Sequence, residues 1–215
     1  MKRNQSGFTL IEIAIVLVII GLLLGGVLKG QELINSAKVK NLTNDLKGAS
    51  VMVYSYQDKF HAVPGDDAAA ATHLPAPSTS STVSVSGTSA GNGVIGGVWN
   101  SQTVTDESFI FWQHVRLAGL SQGETSTATP ATFVPHSTFG GQLGVTSSVN
   151  GPISTMTGPF VACADNVPGK AVKQMDANLD DGVGNTGSVQ AIAAAAAAAA
   201  ATPADDTLYT VCMSF

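Results

Sequence analysis

One acidic residue, Glu12, interrupts an otherwise apolar run of 21 residues between Phe8 and Leu28. As a helix, such a run is about 30 Å long, which matches the hydrocarbon core of a bilayer. An ionised carboxylate in the middle of a membrane span costs about 2.5–3.5 kcal/mol on insertion scales, and such residues usually pair with another group and serve a function. Glu12 is therefore the first candidate functional residue, and a partner for its charge is expected.

A second set of oxygen-bearing side chains alternates near the C-terminus: Asp176, Asn178, Asp180 and Asp181. Alternating oxygen ligands open the calcium loop of EF-hands, but that loop places glycine sixth and glutamate twelfth, where this sequence has Asp181 and Gly187. The stretch also fits the polar end of a helix. We favour the helix end over a weak calcium site, so no cofactor is predicted, and the four histidines show no metal-ligand spacing.

Two short patterns typical of enzymes meet at Gly91, where a G-x-S-x-G pattern ends and a G-x-G-x-x-G pattern begins. The first requires a strand, a sharp turn and a helix, and the second requires a βαβ unit. Residues 75–92 are instead Ser/Thr-rich low complexity. No element positions Asp106 with His114 or His136 to complete a catalytic triad. No catalytic residue is predicted, and the protein is not expected to be an enzyme.

The apolar run is expected to begin a helix that crosses a membrane. Lys2 and Arg3 precede it, so the positive-inside rule places the N-terminus in the cytoplasm and the chain after residue 30 in the periplasm. Two Gly-x-x-x-Gly pairs, at 21–25 and 26–30, put small residues on helix faces where another helix can approach closely. They favour association with another helix, in a filament or in a simple dimer.

The helix is predicted to continue past the membrane as a stem. Apolar residues recur there at alternating spacings of three and four: Val39, Leu42, Leu46, Ala49, Val53, Tyr56 and Phe60. This is the stripe of an amphipathic helix, and the first proline, Pro64, is expected to end it. The stripe would also suit a coiled coil. Its continuity with the membrane span favours a stem that is covered by the chain's own globular part.

Residues 61–215 are predicted to form one loop-rich head. Three basic residues stand against eleven acidic ones in this range, which gives a net charge of −8. Such a surface repels phosphate backbones, so nucleic acid is not an expected partner.

The head is expected to combine two helices with a few short strands. The helices are predicted at 106–118 and Pro168–Asp181, with Gly182 as the C-cap of the second. The strands are predicted at Thr132–Val134, Ser188–Ile192, Leu208–Met213 and Ile153–Ala164, the last with an interruption near Gly158-Pro159. The alanine run at 193–201 is expected to be a flexible or short helical connection. The expected fold class is α+β: a long N-terminal α-helix, half transmembrane and half amphipathic, packed on a small antiparallel β-sheet.

Both cysteines, Cys163 and Cys212, lie in the C-terminal quarter of the chain. In an exported domain the default is a disulfide bond between them. Closing a loop of about 50 residues would stabilise the fold by about 4 kcal/mol in the chain-entropy treatment.

The N-terminal pattern, Gly7-Phe8-Thr9-Leu10 followed by Glu12, resembles the N-terminus of type IV prepilins and of the pseudopilins of type II secretion. In that family a membrane peptidase cleaves after the glycine and methylates the new N-terminal amine. The resemblance therefore implies cleavage after Gly7 and N-methylation of Phe8. It also implies that Glu12 neutralises the N-terminal amine of a neighbouring subunit during assembly. The helix-breaking proline usual in the span is missing, so glycines would have to allow any local melting there.

The resemblance divides the chain into a leader (1–7), a transmembrane assembly segment (8–28), the periplasmic half of the stem (29–60) and a pilin head (61–215). An ordinary secretory signal peptide fits less well, because no A-x-A cleavage site follows the apolar core. The implied location is the inner membrane, with a single span and a periplasmic head, and later a surface pilus or a periplasmic pseudopilus.

The function implied is that of a structural subunit in a homo-oligomeric or mixed pilin filament. Its partners would be the prepilin peptidase and an inner-membrane platform driven by a cytoplasmic ATPase. A pseudopilin of type II secretion is the alternative within the class. A membrane-anchored periplasmic binding or enzymatic domain is the alternative from another class.

Overall fold

The computed structural model describes residues 7, 9–77, 82–85, 90–194, 196 and 198–215. Phe8 and the first six residues of the predicted leader lie outside the described residues, as do parts of the Ser/Thr-rich segment and of the alanine run. By its internal contacts the chain divides into two compact units, Met1–Lys38 and Val39–Phe215.

Helix α1 spans Leu10–Phe60 and belongs to both units. In the first unit, its apolar side chains from Leu10 to Leu28 are exposed. Among the residues that the structure describes, α1 is the one helix long and apolar enough to cross a membrane, and its apolar window is not buried. The first part of α1 therefore fits the predicted membrane-spanning segment.

The second half of α1 provides the predicted buried stripe of the second unit. The buried residues of the helix are Val39, Leu42, Leu46, Ala49, Val53 and Tyr56. The first five of them share one hydrophobic core with the sheet and with the helices packed beside it. The helix ends at Phe60, and the next residue, His61, has a φ of 55°. The stripe and the end of the helix ahead of Pro64 are confirmed.

The sheet has four antiparallel strands: β1 (Leu143–Ser147), β2 (Phe160–Pro168), β3 (Val189–Ala193) and β4 (Leu208–Ser214). Their spatial order is β1-β2-β4-β3, so β2 and β4 are the central strands. Together with α1 this is the predicted α+β arrangement of a long helix packed against a small antiparallel sheet. The fold class is confirmed.

The other helices are α2 (Ala70–His73), α3 (Glu107–Leu117), α4 (Pro130–Phe133) and α5 (Gly169–Leu179). Helices α3 and α5 lie where the sequence predicts them, but α5 ends on Asp180 as its C-cap, and Gly182 follows with a φ of 81°. The strand predicted at Thr132–Val134 is wrong, because Pro130 starts a helical turn there.

Two strands differ from the sequence prediction in the second unit. Strand β2 begins at Phe160, since a turn at 154–155 and a bend at 158–159 interrupt the preceding residues. Strand β1 was not predicted, because all five of its residues are buried and it lacks the alternation of a half-exposed strand. At Gly144 an added Cβ would lie 1.8 Å from the carbonyl oxygen of Trp99, so the loop carrying Trp99 covers β1 closely.

The sheet separates two hydrophobic clusters. Phe160, Ala162 and Ala164 of β2 join the core that contains the buried stripe of α1. The intervening residues Val161 and Cys163 belong to a smaller cluster with Trp99, Ile153, Met156 and Cys212. This division follows from the period of two along a strand, and it places the cysteines on the face opposite the stem helix.

Candidate assembly site and stem-end network

Glu12 accepts hydrogen bonds from Thr9 of its own chain at the start of α1. The Thr9 amide and hydroxyl donate to Oε2 of Glu12 at 2.8 and 2.7 Å, and the Glu12 amide lies 3.3 Å from the Thr9 hydroxyl oxygen. This reciprocal arrangement is a capping box, with threonine at the N-cap and glutamate at N3. It satisfies amide groups that the first turn would otherwise leave without partners.

The capping box gives the acidic residue a partner that the sequence analysis did not identify. The pattern Thr-x-x-Glu ahead of an apolar run is a known signal of a helix start, and it is present at residues 9–12. In the described part of the chain no group donates to the second carboxylate oxygen, Oε1. Phe8, the residue predicted to be methylated, lies outside the described residues.

The glycines of α1 leave open helix faces in the first unit. A Cβ added at Gly21, Gly25, Gly26 or Gly30 would meet no heavy atom within 4 Å. In the described part of the chain, therefore, no packing contact requires these residues to be glycine. Close approach of a second helix is a physical use for such faces in a membrane.

Two adjacent acids just after the stem bind the surrounding loops. The carboxylate of Asp66 accepts hydrogen bonds from the amides of Gly91, Asn92 and Gly93 at 2.6, 3.2 and 2.6 Å. Asp67 accepts from the Tyr56 hydroxyl at 2.8 Å and lies 2.7 Å from Nδ1 of His73. The sequence analysis missed both roles. The signal that could have indicated them is the pair of acids directly after Pro-Gly, where the helix was predicted to end.

The start of the dinucleotide-like pattern is explained by this network. The amides at 91–93 donate to the chain's own Asp66, so consecutive backbone amides here bind an internal carboxylate. The residues 87–89 of the nucleophile-like pattern lie outside the described residues. Asp106 accepts a hydrogen bond from the Ser101 hydroxyl at 2.6 Å.

His114 is the buried centre of the same region. The amide of Gly65 donates to its Nδ1 at 3.0 Å, and its Nε2 lies 2.8 Å from the carbonyl oxygen of Ser84. Since Nδ1 accepts, the proton of the neutral ring is on Nε2. Gly65 has a φ of 93°, and a Cβ there would lie 2.4 Å from the carbonyl oxygen of Glu107. His114 therefore fixes the turn after the stem.

We expect mild acid to weaken the fold through His114. Burial lowers its pKa, although the Ser84 carbonyl and the charge of Asp67 oppose this shift. The unfolded chain takes up a proton near pH 6.5, where the folded protein does not. Through His114 alone, the free energy of unfolding should therefore fall as the pH drops below about 6.5, by up to about 1.4 kcal/mol per pH unit, whereas the raised pKa of Asp176 acts in the opposite direction below about pH 6. Urea unfolding followed by tryptophan fluorescence measures this slope, since Trp99 and Trp112 both lie in the second unit.

Between pH 6.5 and 5, acid should lower the free energy of unfolding less in His114→Gln than in the unaltered protein, and the difference between the two slopes reports on His114. His136 is exposed, and His136→Gln is the matched control whose slope should equal that of the unaltered protein. An unchanged slope in His114→Gln would contradict the assignment.

Asp67 affects the free energy of unfolding only at lower pH. Burial raises its pKa, but hydrogen bonds from His73 and Tyr56 outweigh that effect and leave the pKa below its usual value. Its stabilisation is lost as the pH falls through that lowered pKa.

Three of the four residues in the calcium candidate come together at the end of α5. One carboxylate oxygen each from Asp176, Asp180 and Asp181 lies within 4.8 Å of the other two. The fourth residue, Asn178, is exposed. Burial, followed by the charges of Asp181 and Asp180, raises the pKa of Asp176 to about 6.

Cys163 and Cys212 form a disulfide bond in the structure. They are directly opposite one another on β2 and β4, with their Cα atoms 4.1 Å apart. Both are fully buried. The bond therefore links the two central strands of the sheet.

The comparison with protein families matches residues 2–28 to the prokaryotic N-terminal methylation motif. This motif is the signature of the prepilin-type segment of type IV pilins and pseudopilins, and it supports a structural protein of that class. The predicted resemblance is confirmed for this segment. No curated protein and no solved structure matches the chain.

Proposed function

We propose that this protein is a structural subunit of a type IV pilus-like filament, made as a membrane precursor and cleaved after Gly7. The observation that carries the proposal is the coincidence of the methylation motif at 2–28 with an exposed apolar helix that begins at Leu10. An apolar helix that the described part of its own chain leaves exposed needs a bilayer or other helices. A membrane precursor and a filament core supply these two environments in turn.

During assembly, the negative charge of Glu12 on the apolar helix would bind a positive charge on a neighbouring subunit. In the precursor, Thr9 satisfies Oε2 of the carboxylate, as the capping box supports. After cleavage, the new amine at Phe8 of one subunit would pair with Glu12 of a neighbour, and the two opposite charges would enter the filament core together. Pairing lowers the cost of both charges in an apolar medium. A cytoplasmic ATPase acting through an inner-membrane platform would supply the energy.

The head would remain outside the core and carry the exposed surface of the filament. A pseudopilin of type II secretion would share the same leader, helix and Glu12. Shearing of cells separates the two: a pilus subunit is recovered in the extracellular fraction, whereas a pseudopilin stays with the cell envelope. The long Ser/Thr/Gly-rich loops of the head favour the surface pilus.

The experiment that tests the proposal is intact mass and N-terminal sequencing of the protein from cells with and without the prepilin peptidase. We expect the mature protein to lack Met1–Gly7 and to start at N-methylated Phe8, only when the peptidase is present. Gly7→Glu should block processing, because a long charged side chain at the cleavage position replaces a residue with none. Ser6→Ala, one position earlier, is the matched control and should be processed.

Two other results would contradict the proposal. A chain that keeps Met1–Gly7 in the presence of the peptidase would favour a membrane-anchored periplasmic binding or enzymatic domain. Such a domain should also work when cut from its helix. Cleavage after Leu28 would identify an ordinary secreted protein, and the role proposed for Glu12 would then be lost with the removed segment.

A further inference from the structure

A cavity of about 510 Å³ lies beside the irregular part of strand β2. The register of β2 against β4 shifts between Ala164 and Val167, as in a β-bulge, and Asn166 has a φ of 61°. A bulge takes residues out of the ladder and re-aims their side chains, often beside a functional site. The residues that line the cavity include Gln102, Gln142, Asp165, Asn166, Leu208 and Tyr209.

Asp165 brings an uncompensated negative charge to this cavity. Among the described residues of the lining it is the only acid, and neither lysine nor arginine is present. Its Oδ1 atom is buried without a hydrogen-bond partner in the described part of the chain, against Gly141, where an added Cβ would overlap it. No described basic side chain forms an ion pair with this carboxylate. A half-buried charge without a partner is unfavourable, so a cation in the cavity would stabilise it.

The rest of the lining decides which kind of cation fits. Calcium takes about six to eight oxygen ligands at close range, and one carboxylate in so large a space is a poor site for it. Zinc sites use three or four protein ligands, and His136 and Asp165 are the only residues of the described lining that zinc favours. A phosphate or carboxylate ligand would be repelled by Asp165. An organic cation therefore fits better than a metal ion or an anion.

We infer that the cavity binds a primary ammonium group carried on a short methylene chain, as in a lysine side chain or a free diamine. An ammonium group has three donors and no acceptor. Because Oδ1 of Asp165 is buried, its Oδ2 atom would accept from the ligand. Asn166 donates through Nδ2 to the carbonyl oxygen of Phe139 at 3.1 Å, so its side-chain oxygen is left as a second acceptor. The methylene chain would pack on Leu208, which is 50% exposed.

One source of such a group is another copy of this chain. Lys40 and Lys47 are exposed and lie two turns apart on one face of the stem. The net charge of −8 on residues 61–215 would attract them. This source rests on the proposed function, whereas the binding of an ammonium group does not. A free diamine is the other source.

The binding test uses the full-length protein in a deuterated non-ionic detergent, with n-butylammonium chloride as the probe. We expect saturation-transfer NMR to show binding with a Kd of about 1–10 mM, the range for so small a ligand. n-Butanol keeps the chain without the charge, and tetramethylammonium keeps the charge without N–H donors. Each should bind about tenfold more weakly or worse.

Asp165→Asn is the decisive variant, since it keeps the shape of the side chain and removes its charge. It should weaken n-butylammonium binding by about tenfold or more and keep the far-ultraviolet circular dichroism of the fold. Asp206→Asn removes an exposed acid outside the cavity lining, and this matched control should bind normally. Leu208→Ser should weaken binding of n-butylammonium more than binding of methylammonium. No binding by the unaltered protein, or equal binding by Asp165→Asn, would overturn the inference.

Cross-linking distinguishes the two sources of the ammonium group. A water-soluble carbodiimide joins a carboxylate to an amine in contact with it and adds no spacer. In sheared filaments, a cross-linked dimer with Asp165 joined to Lys40 or Lys47 would identify a lysine of another copy. Filaments without this link, together with normal n-butylammonium binding, would identify a free amine. A failure of processing at Phe8 would contradict the filament proposal alone, because the binding test does not require filaments.

Discussion

Replacement of Glu12 by glutamine should reduce the amount of protein recovered in sheared filaments by at least tenfold, while processing and the fold of the head persist. The substitution removes one charge from the apolar helix and keeps the length of the side chain. Under the proposed mechanism, the amine at Phe8 of a neighbouring subunit would then enter the filament core without an opposite charge. An unpaired charge in an apolar medium is costly enough to prevent docking.

The choice of glutamine separates the charge from the capping role of this residue. Glutamine also serves at the N3 position of a capping box, so it can still accept from the Thr9 amide and preserve the start of the helix. In contrast, alanine would remove both the charge and the cap. A defect in Glu12→Gln therefore reports on the charge alone.

Glu32→Gln is the matched control for Glu12→Gln. Glu32 lies on the same helix past the apolar run and forms an exposed ion pair with Lys29 at 2.7 Å. Exposed pairs of this kind contribute little, about 0–1 kcal/mol, so this variant should assemble normally. Immunoblots of sheared and cell-bound fractions measure both variants. Normal assembly of Glu12→Gln would refute the proposed role of this residue.

The features that could be predicted from the sequence are those that depend on near neighbours along the chain. The buried stripe of α1 needs only the spacing of apolar residues from Val39 to Tyr56, and its end needs only Pro64. Helix α5 was predicted for the same reason. The position of its C-cap was missed because Asp180 is fixed by Val189, a residue of the next strand.

The features that could not be predicted depend on contacts between distant residues. The turn after the stem requires Gly65 to meet His114, 49 positions later. Strand β1 is buried on both faces because the loop around Trp99 covers it, and its own sequence carries no sign of that cover. The capping box at Thr9 and Glu12 was different, since four consecutive residues contain its whole signal. It was missed because the charge of Glu12 suggested a partner on another chain.

Removal of the disulfide bond is expected to have the largest effect on stability. In the Cys163→Ala/Cys212→Ala variant, we expect the free energy of unfolding to fall by about 4 kcal/mol, because the bond closes a loop with a sequence separation of 49 residues. Domains of this size are stable by only about 5–15 kcal/mol. The loss corresponds to roughly 10 °C in the midpoint of thermal unfolding. Alanine is preferred to serine, since two buried hydroxyl groups would add a cost of their own.

The environment of the bond decides how the rest of the sheet should respond. Cys163 and Cys212 are opposite one another on the central strands, and backbone pairing joins β2 and β4 on both sides of them. The native pairing should therefore survive, and the variant should keep its far-ultraviolet circular dichroism at low temperature. Urea unfolding of the oxidised, reduced and alanine forms measures the loss. Equal stability of all three would mean that pairing and the cluster around Trp99 already fix the two strands.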